Sequence, residues 1–274
     1  MSIAIYDIEQ TEKFKLFPFC INHASFEIKV GMYTNFERIK LACLQRSIKT
    51  ETIYLFVRDE IKDLIKERYP DCIINPNQNI DVEVSFSGNC VVKNVEEKDE
   101  HSINYLWDIF NYNQYILEFD IDKYKLIPNY QIHDSVILVK EKQIFINENS
   151  NIRAGVILDI RNDEENIVIG KNVTIDVGAI IQGNVFIDDN SYIAPGSKIK
   201  SGTFIGKHCK VGGEVSCSVI SDYSNKGHDG FLGHSFIGEW VNLGAGTNNS
   251  NLKNNYNNAK FNCGDGNYID TDQQ

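Results

Sequence analysis

The chain divides by the spacing of its apolar residues. Over residues 1 to about 128, "SIAIYDI" and "TIYLFV" predict short buried strands. "NFERIKLACLQRSI" and "RDEIKDLIKERY", with apolar positions three and four apart, predict amphipathic helices. Such alternation of strand and helix predicts an α/β domain. From Ile132 onward helical spacing vanishes while glycine and asparagine increase, so a second domain is predicted over 129–274.

The second domain has a period of six. Ile169, Ile175, Ile181, Ile187, Ile193, Ile199, Ile205 and Val211 share one register. The residues four after each are Val173, Ala179, Val185, Ser191, Ser197, Thr203, Cys209 and Val215, all small or β-branched. This period predicts a coil with flat sides, each side a short strand plus a corner, whose aliphatics stack as ladders inside a parallel β-helix. Corners such as "IGKN", "IDVG" and "IDDN" supply glycine, asparagine and aspartate, which accept turn conformations that other residues resist. The register runs back through Ile146, Ile152 and Leu158 across the polar insert "RNDEEN". A β-sandwich, with its period of two, does not account for it. After Val215 the register is lost. "SCSVISDYSNKGHDGFLGHSF" therefore predicts a loop leaving the coil, with the ladder resuming at Ile237, Val241, Leu243 and Thr247, and "NNSNLKNNYNN" predicts a second excursion.

Charge and cysteine usage narrow the setting. Lysine and arginine number 27 against 38 acidic residues, and the net charge of −11 argues against nucleic acid as the main partner. The seven cysteines (20, 43, 72, 90, 209, 217, 263) are dispersed and form no CxxC pair, which predicts reduced thiols in a cytoplasmic protein rather than a disulfide frame or zinc site. No apolar run approaches the roughly 20 residues of a membrane span.

"SNKGHDGFLGHSFIGEWVNLGAGT" resembles the acyltransferase half of the bifunctional N-acetylglucosamine-1-phosphate uridylyltransferase/glucosamine-1-phosphate acetyltransferase family. "NNSNLKNNY" is similar to an alternative branch of that family whose nucleotidyltransferase half is divergent, and "LFPF", "FEIKVGMYT" and "LWDIFNYN" extend a weaker similarity into the N-terminal half. The resemblance implies a divergent nucleotidyltransferase-like α/β domain followed by a left-handed parallel β-helix of hexapeptide repeats. It also implies a homotrimer and acetyl-CoA as co-substrate. It places His228 where the family has its general base and Glu214 where a glutamate orients that histidine. Asn242 matches a substrate-contacting position, and Gly244 and Ala245 lie where backbone meets the acyl group. Ser216 stands in place of a phosphate-holding lysine and Phe231 in place of a tyrosine, so Lys226 becomes the candidate for phosphate recognition and a changed substrate is expected. The family continues through further coils beyond the point where "GNYIDTDQQ" stands, so a C-terminal truncation is expected.

These residues predict an acyl-CoA-dependent N-acyltransferase acting on an amino-sugar phosphate or nucleotide amino sugar. A non-catalytic sugar-nucleotide-binding or regulatory relative is the alternative. A sugar-1-phosphate nucleotidyltransferase ranks third, because the chain has no glycine before Gly31 and carries "INHAS" where the branch has threonine, arginine and proline. Asp120 and Asp122 in "EFDID" would be its magnesium ligands, although paired loop aspartates are more often solvated charges. Lys198, Lys200, Lys207 and Lys210 are candidates for coenzyme A phosphates, or solvated corners. His208 and His234 suggest zinc only loosely, and no metal is predicted.

Overall fold

The computed structural model describes residues 2–7, 16, 18–45, 50–76, 80, 82, 84–89, 91, 102–249, 254–262, 266 and 268–271. Phe17, Cys90, Cys263, residues 46–48, the run 250–253 and, in the terminal "GNYIDTDQQ", residues 267 and 272–274 lie outside them. The chain forms two compact units, Met1–Ile109 with Asn258–Gln273, and Phe110–Asn257. The boundary expected near 128 falls within the second unit, whose first residues belong to helix α3 (Asp108–Ile121).

The first unit holds a four-stranded parallel sheet in the order 73–74, 52–56, 2–6, 84–87. Both strands and both helices expected there are present, as Ser2–Tyr6, Thr52–Phe56, α1 (Asn35–Gln45) and α2 (Lys62–Arg68). Helix α1 starts at a capping box. The Thr34 hydroxyl accepts from the Glu37 amide at 3.2 Å, and the Glu37 carboxylate accepts from the Thr34 amide at 2.8 Å. Its apolar face buries Phe36, Ile39 and Cys43 against Ile3, Ile5 and Leu55 of the sheet.

The second unit is a parallel β-helix of triangular section. Three six-stranded parallel sheets form its faces, each strand paired with the strand one coil earlier and one coil later. This stacking fits the left-handed β-helix of hexapeptide repeats. Ile169, Ile187 and Ile205 pair in register on one face, and Ile175, Ile193 and Val211 on another. All eight residues of the predicted ladder are fully buried. One corner row, Asn149, Asn172, Asn190, His208, Tyr223 and Trp240, has positive φ throughout. Asparagine tolerates that conformation. The three larger residues recover stability by stacking, with ring centroids 5.1 Å apart for His208 and Tyr223 and 4.7 Å for Tyr223 and Trp240.

The coil does not leave its register after Val215, contrary to the sequence expectation. Strands Val219–Ile220, Asn225–Lys226, Phe231–Gly233 and Phe236–Ile237 continue the three faces. Ile220 pairs with Ile205 and Leu232 with Val215. Corners shortened by one or two residues break the spacing of six while the stacking is kept. The run taken for a second excursion also begins on the coil, where the Asn249 side chain donates to the Gly233 carbonyl and accepts from its amide. Asp120 and Asp122 are not a loop pair: Asp120 is buried within α3 and Asp122 is exposed beyond its end.

Because Ile187 is enclosed by inward aliphatics on every side, Ile187→Ala is expected to cost about 2–5 kcal/mol, whereas Val177→Ala, at an exposed corner, should cost under about 0.5 kcal/mol. Urea unfolding of the two variants checks both values.

Candidate functional site

The site arises from a change in corner length. Ile193 and Ile199 are six residues apart, as are Lys226 and Leu232 one coil beyond the next, but between these coils Val211 and Val215 are only four apart. All six side chains occupy equivalent inward positions, so the corner at Gly212 and Gly213 lacks two residues and the coil is dented there. The dent is a recess of about 270 Å³ lined by Gly196, Lys198, Gly213, Glu214, Asp229, Gly230 and Phe231.

Glycine is required on both sides of the dent. Gly213 has φ +74°, and a Cβ there would lie 2.7 Å from the Gly230 carbonyl oxygen and 2.9 Å from Lys226 Nζ. At Gly230, with φ +131°, a Cβ would run into the Thr247 carbonyl. The two corners are thereby drawn together, and the Glu214 amide donates to the Gly230 carbonyl at 3.1 Å.

His228 lies in the corner between Lys226 and Phe231, exposed, next to the recess-lining Asp229. Its imidazole makes no hydrogen bond among the described residues. Glu214 lines the recess in register with Phe231, but its carboxylate Oε1 is held by Lys200 Nζ at 2.6 Å rather than by the imidazole. The other carboxylate oxygen, Oε2, accepts no bond among the described residues. Ser216 faces outward two residues beyond Glu214, level with Gly233. Asn242 is exposed and bridges to Asn225 through the backbone. The corner carrying exposed Gly244 and Ala245 stacks on the His228 corner, since the Gly246 amide donates to the Asp229 carbonyl at 3.1 Å.

Lys226 requires a correction. It was the candidate for phosphate, yet it occupies the inward ladder position after Ile175, Ile193 and Val211 and is 2% exposed. Its Nζ donates to the carbonyls of Gly212 and His228, at 3.0 Å each. A residue whose ammonium is satisfied inside the coil does not reach a phosphate outside it. The corner lysines also separate: Lys198 lines the recess and Lys200 pairs with Glu214, while Lys207 and Lys210 flank the corner of His208. His208 and His234 sit on different corners, His208 against Tyr223 and His234 against Phe110. Among the described residues no group of three His, Cys, Asp or Glu side chains is placed to hold a metal ion.

Sequence reasoning did not single out Asp229, Gly213 or the Lys200–Glu214 pair. The signal for the dent was present in the four-residue step from Val211 to Val215. The signal for Lys226 lay in its six-residue distance from Leu232.

Burial pushes the Lys226 ammonium below the ordinary lysine range, and the nearby Asp229 opposes that shift only in part. The unfolded chain therefore holds this proton more tightly than the folded one. Stability is expected to rise with pH between the lowered folded value and the ordinary value of about 10.4. Urea unfolding of wild type and Lys226→Met across that window checks it, the rise being smaller in the variant.

The description "Bacterial transferase hexapeptide (six repeats)" matches residues 166–201. Among curated proteins, the bifunctional protein GlmU of Trichodesmium erythraeum is 35% identical over 89 residues, covering 32% of this chain and 18% of GlmU. That of Acaryochloris marina is 27% identical over 201 residues, 59% of this chain and 44% of GlmU. The chain thus spans less than half the length of these relatives. A solved structure of a GDP-perosamine N-acetyl transferase mutant from Caulobacter crescentus, in complex with CoA and GDP-perosamine, aligns over 88% of this chain and 90% of its own. It does so at 11% identity and a TM-score of 0.32, too loose a likeness to bear on site or substrate. No helix among the described residues is long and apolar enough to cross a membrane. Residues 166–201 thus carry the hexapeptide repeat of bacterial transferases, within a coil whose stacked parallel faces continue on both sides of them.

Proposed function

We propose that the protein is an acyl-CoA-dependent N-acyltransferase, with acetyl-CoA as donor and an amino-sugar phosphate or nucleotide amino sugar as acceptor. One observation carries the reading: an exposed histidine stands beside a glycine-walled recess on a hexapeptide coil, with a carboxylate and a lysine in the recess wall. In the proposed step the acceptor amine attacks the thioester carbonyl and forms the C–N bond. His228 takes the amine proton, and collapse of the tetrahedral centre breaks the C–S bond and returns a proton to the departing thiolate. Backbone amides of the Gly244–Ala245 corner stabilise the oxyanion, Asn242 contacts the sugar, and Ser216 and Phe231 shape its pocket. Glu214 orients His228 through the oxygen that Lys200 leaves free. We assign the phosphate-bearing part of the ligands to Lys198, which takes the role expected of Lys226.

The proposal includes a homotrimer in the cytoplasm, with the recess completed by a neighbouring coil. The first unit is assigned to ligand recognition in a divergent nucleotidyltransferase-like domain. Support comes from its sheet order, which reverses between strands 2–6 and 84–87, the place where open parallel sheets receive ligands. A second reading, a non-catalytic binding relative, draws on the Lys200–Glu214 pair, since a carboxylate engaged by lysine is a weaker orienter.

Mass-spectrometric detection of acetyl transfer to a panel of amino-sugar phosphates and nucleotide amino sugars tests the proposal. One acceptor is expected to be acetylated, with turnover at least about a hundredfold lower in His228→Ala. Binding of acceptor and acetyl-CoA without turnover in wild type would favour the second reading.

A further inference from the structure

The least expected group in the coil is an ammonium inside it. In successive coils the inward position filled by Lys226 holds Ile152, Ile175, Ile193 and Val211. An aliphatic there adds apolar burial at no desolvation cost, whereas a buried ammonium costs free energy unless its protons are bonded. Stability alone therefore does not account for a lysine at this position. Its place in the site does. The side chain runs beneath the shortened corner, and its Nζ bonds the carbonyl of Gly212 in that corner and that of His228 in the next. Lys226 and Gly212 are joined a second time by the Gly212 amide, which donates to the Lys226 carbonyl at 2.6 Å. No carboxylate bonds the ammonium among the described residues, and two of its three protons go to the two corners that bound the recess.

We propose that Lys226 is a positioning residue: from inside the coil its ammonium ties the backbone of His228 to that of Gly212 and so fixes the corner that presents the imidazole at the recess. The consequence for turnover rests on the reading of His228 as the base. The structural claim does not, and three amides report it directly. Those of Gly212, Glu214 and Gly246 donate to the carbonyls of Lys226, Gly230 and Asp229, all in the corner that the lysine holds. The amides of Ile137 and Asn151, which bond Val156 and Val173 in coils that do not line the recess, serve as controls.

The experiment is amide hydrogen exchange on the full chain, wild type against Lys226→Met, together with the melting temperature and kinetics of acetyl transfer. Loss of bonds from a charged donor is expected to speed exchange at Gly212, Glu214 and Gly246 about tenfold or more. The controls should stay unchanged, and the melting temperature should be equal or higher. The kcat should fall about tenfold or more while the KM for acetyl-CoA stays within about twofold. Unchanged exchange at the three amides would overturn the proposal whatever the kinetics. If wild type turns over no acceptor, the acyltransferase reading fails, but the exchange data still decide the role of Lys226. If the methionine variant does not fold, Lys226→Ile, which copies positions 175 and 193, takes its place; failure of both to fold would make the lysine structural and overturn the proposal.

Discussion

The repeat half depends on one constraint: every inward side chain must sit against its counterpart one coil away. Parallel pairing links each strand to those above and below, so a slip at one strand would turn its aliphatics out of the core and leave its neighbours' backbone groups without partners. Strands are therefore fixed, and variation is confined to the corners. The chain uses that freedom in both directions, adding the polar segment 161–166 at one corner and removing two residues at Gly212 and Gly213 at another. The insertion is closed on itself by a local Arg161–Glu165 ion pair at 2.9 Å, between an exposed guanidinium and a buried carboxylate that also accepts the Arg161 amide. The deletion produces the recess.

A dent in a β-helix has its own cost. Shortening a corner brings the backbones of adjacent coils together, so that a Cβ at Gly213 would fall 2.7 Å from the Gly230 carbonyl oxygen. Lys226 joins those backbones from inside the coil, its methylenes taking the ladder position and its ammonium extending to the carbonyls of Gly212 and His228. Glycines at 213 and 230 permit the approach. Ladder, short corner, lysine and histidine thus form one chain of causes, in which the packing rule of the coil decides where a polar site can open.

How far the sequence revealed this architecture depended on how regular the residues were. The run from Ile169 to Val211 keeps its interval without exception, so faces and core were read correctly from spacing alone. Beyond Val211 two features hid the same fold. Corners of changed length shifted the interval, and Lys226, polar by composition, occupied an apolar position, so a continuous coil was mistaken for a loop. Asn248 and Asn249 deceived for a related reason: their amide side chains bond the backbone of the coil below, a role that composition reads as an excursion from the coil. The glutamate that lines the recess and the histidine beside it were singled out through resemblance. The glutamate's lysine partner was not, because Lys200 and Glu214 are adjacent only once the coil has closed.

The most direct measurement restores the missing residues. A proline inserted after Gly212 and a serine after Gly213 would return the corner to the length of Ala194–Lys198, and melting temperature and acetyl transfer would be measured beside wild type. If the shortened corner makes the site, the variant keeps its melting temperature within about 4 °C, roughly the shift of a 1 kcal/mol change in a domain of this size, while turnover falls at least about a hundredfold. A folded variant with a filled corner and unchanged turnover would show that the chemistry takes place elsewhere.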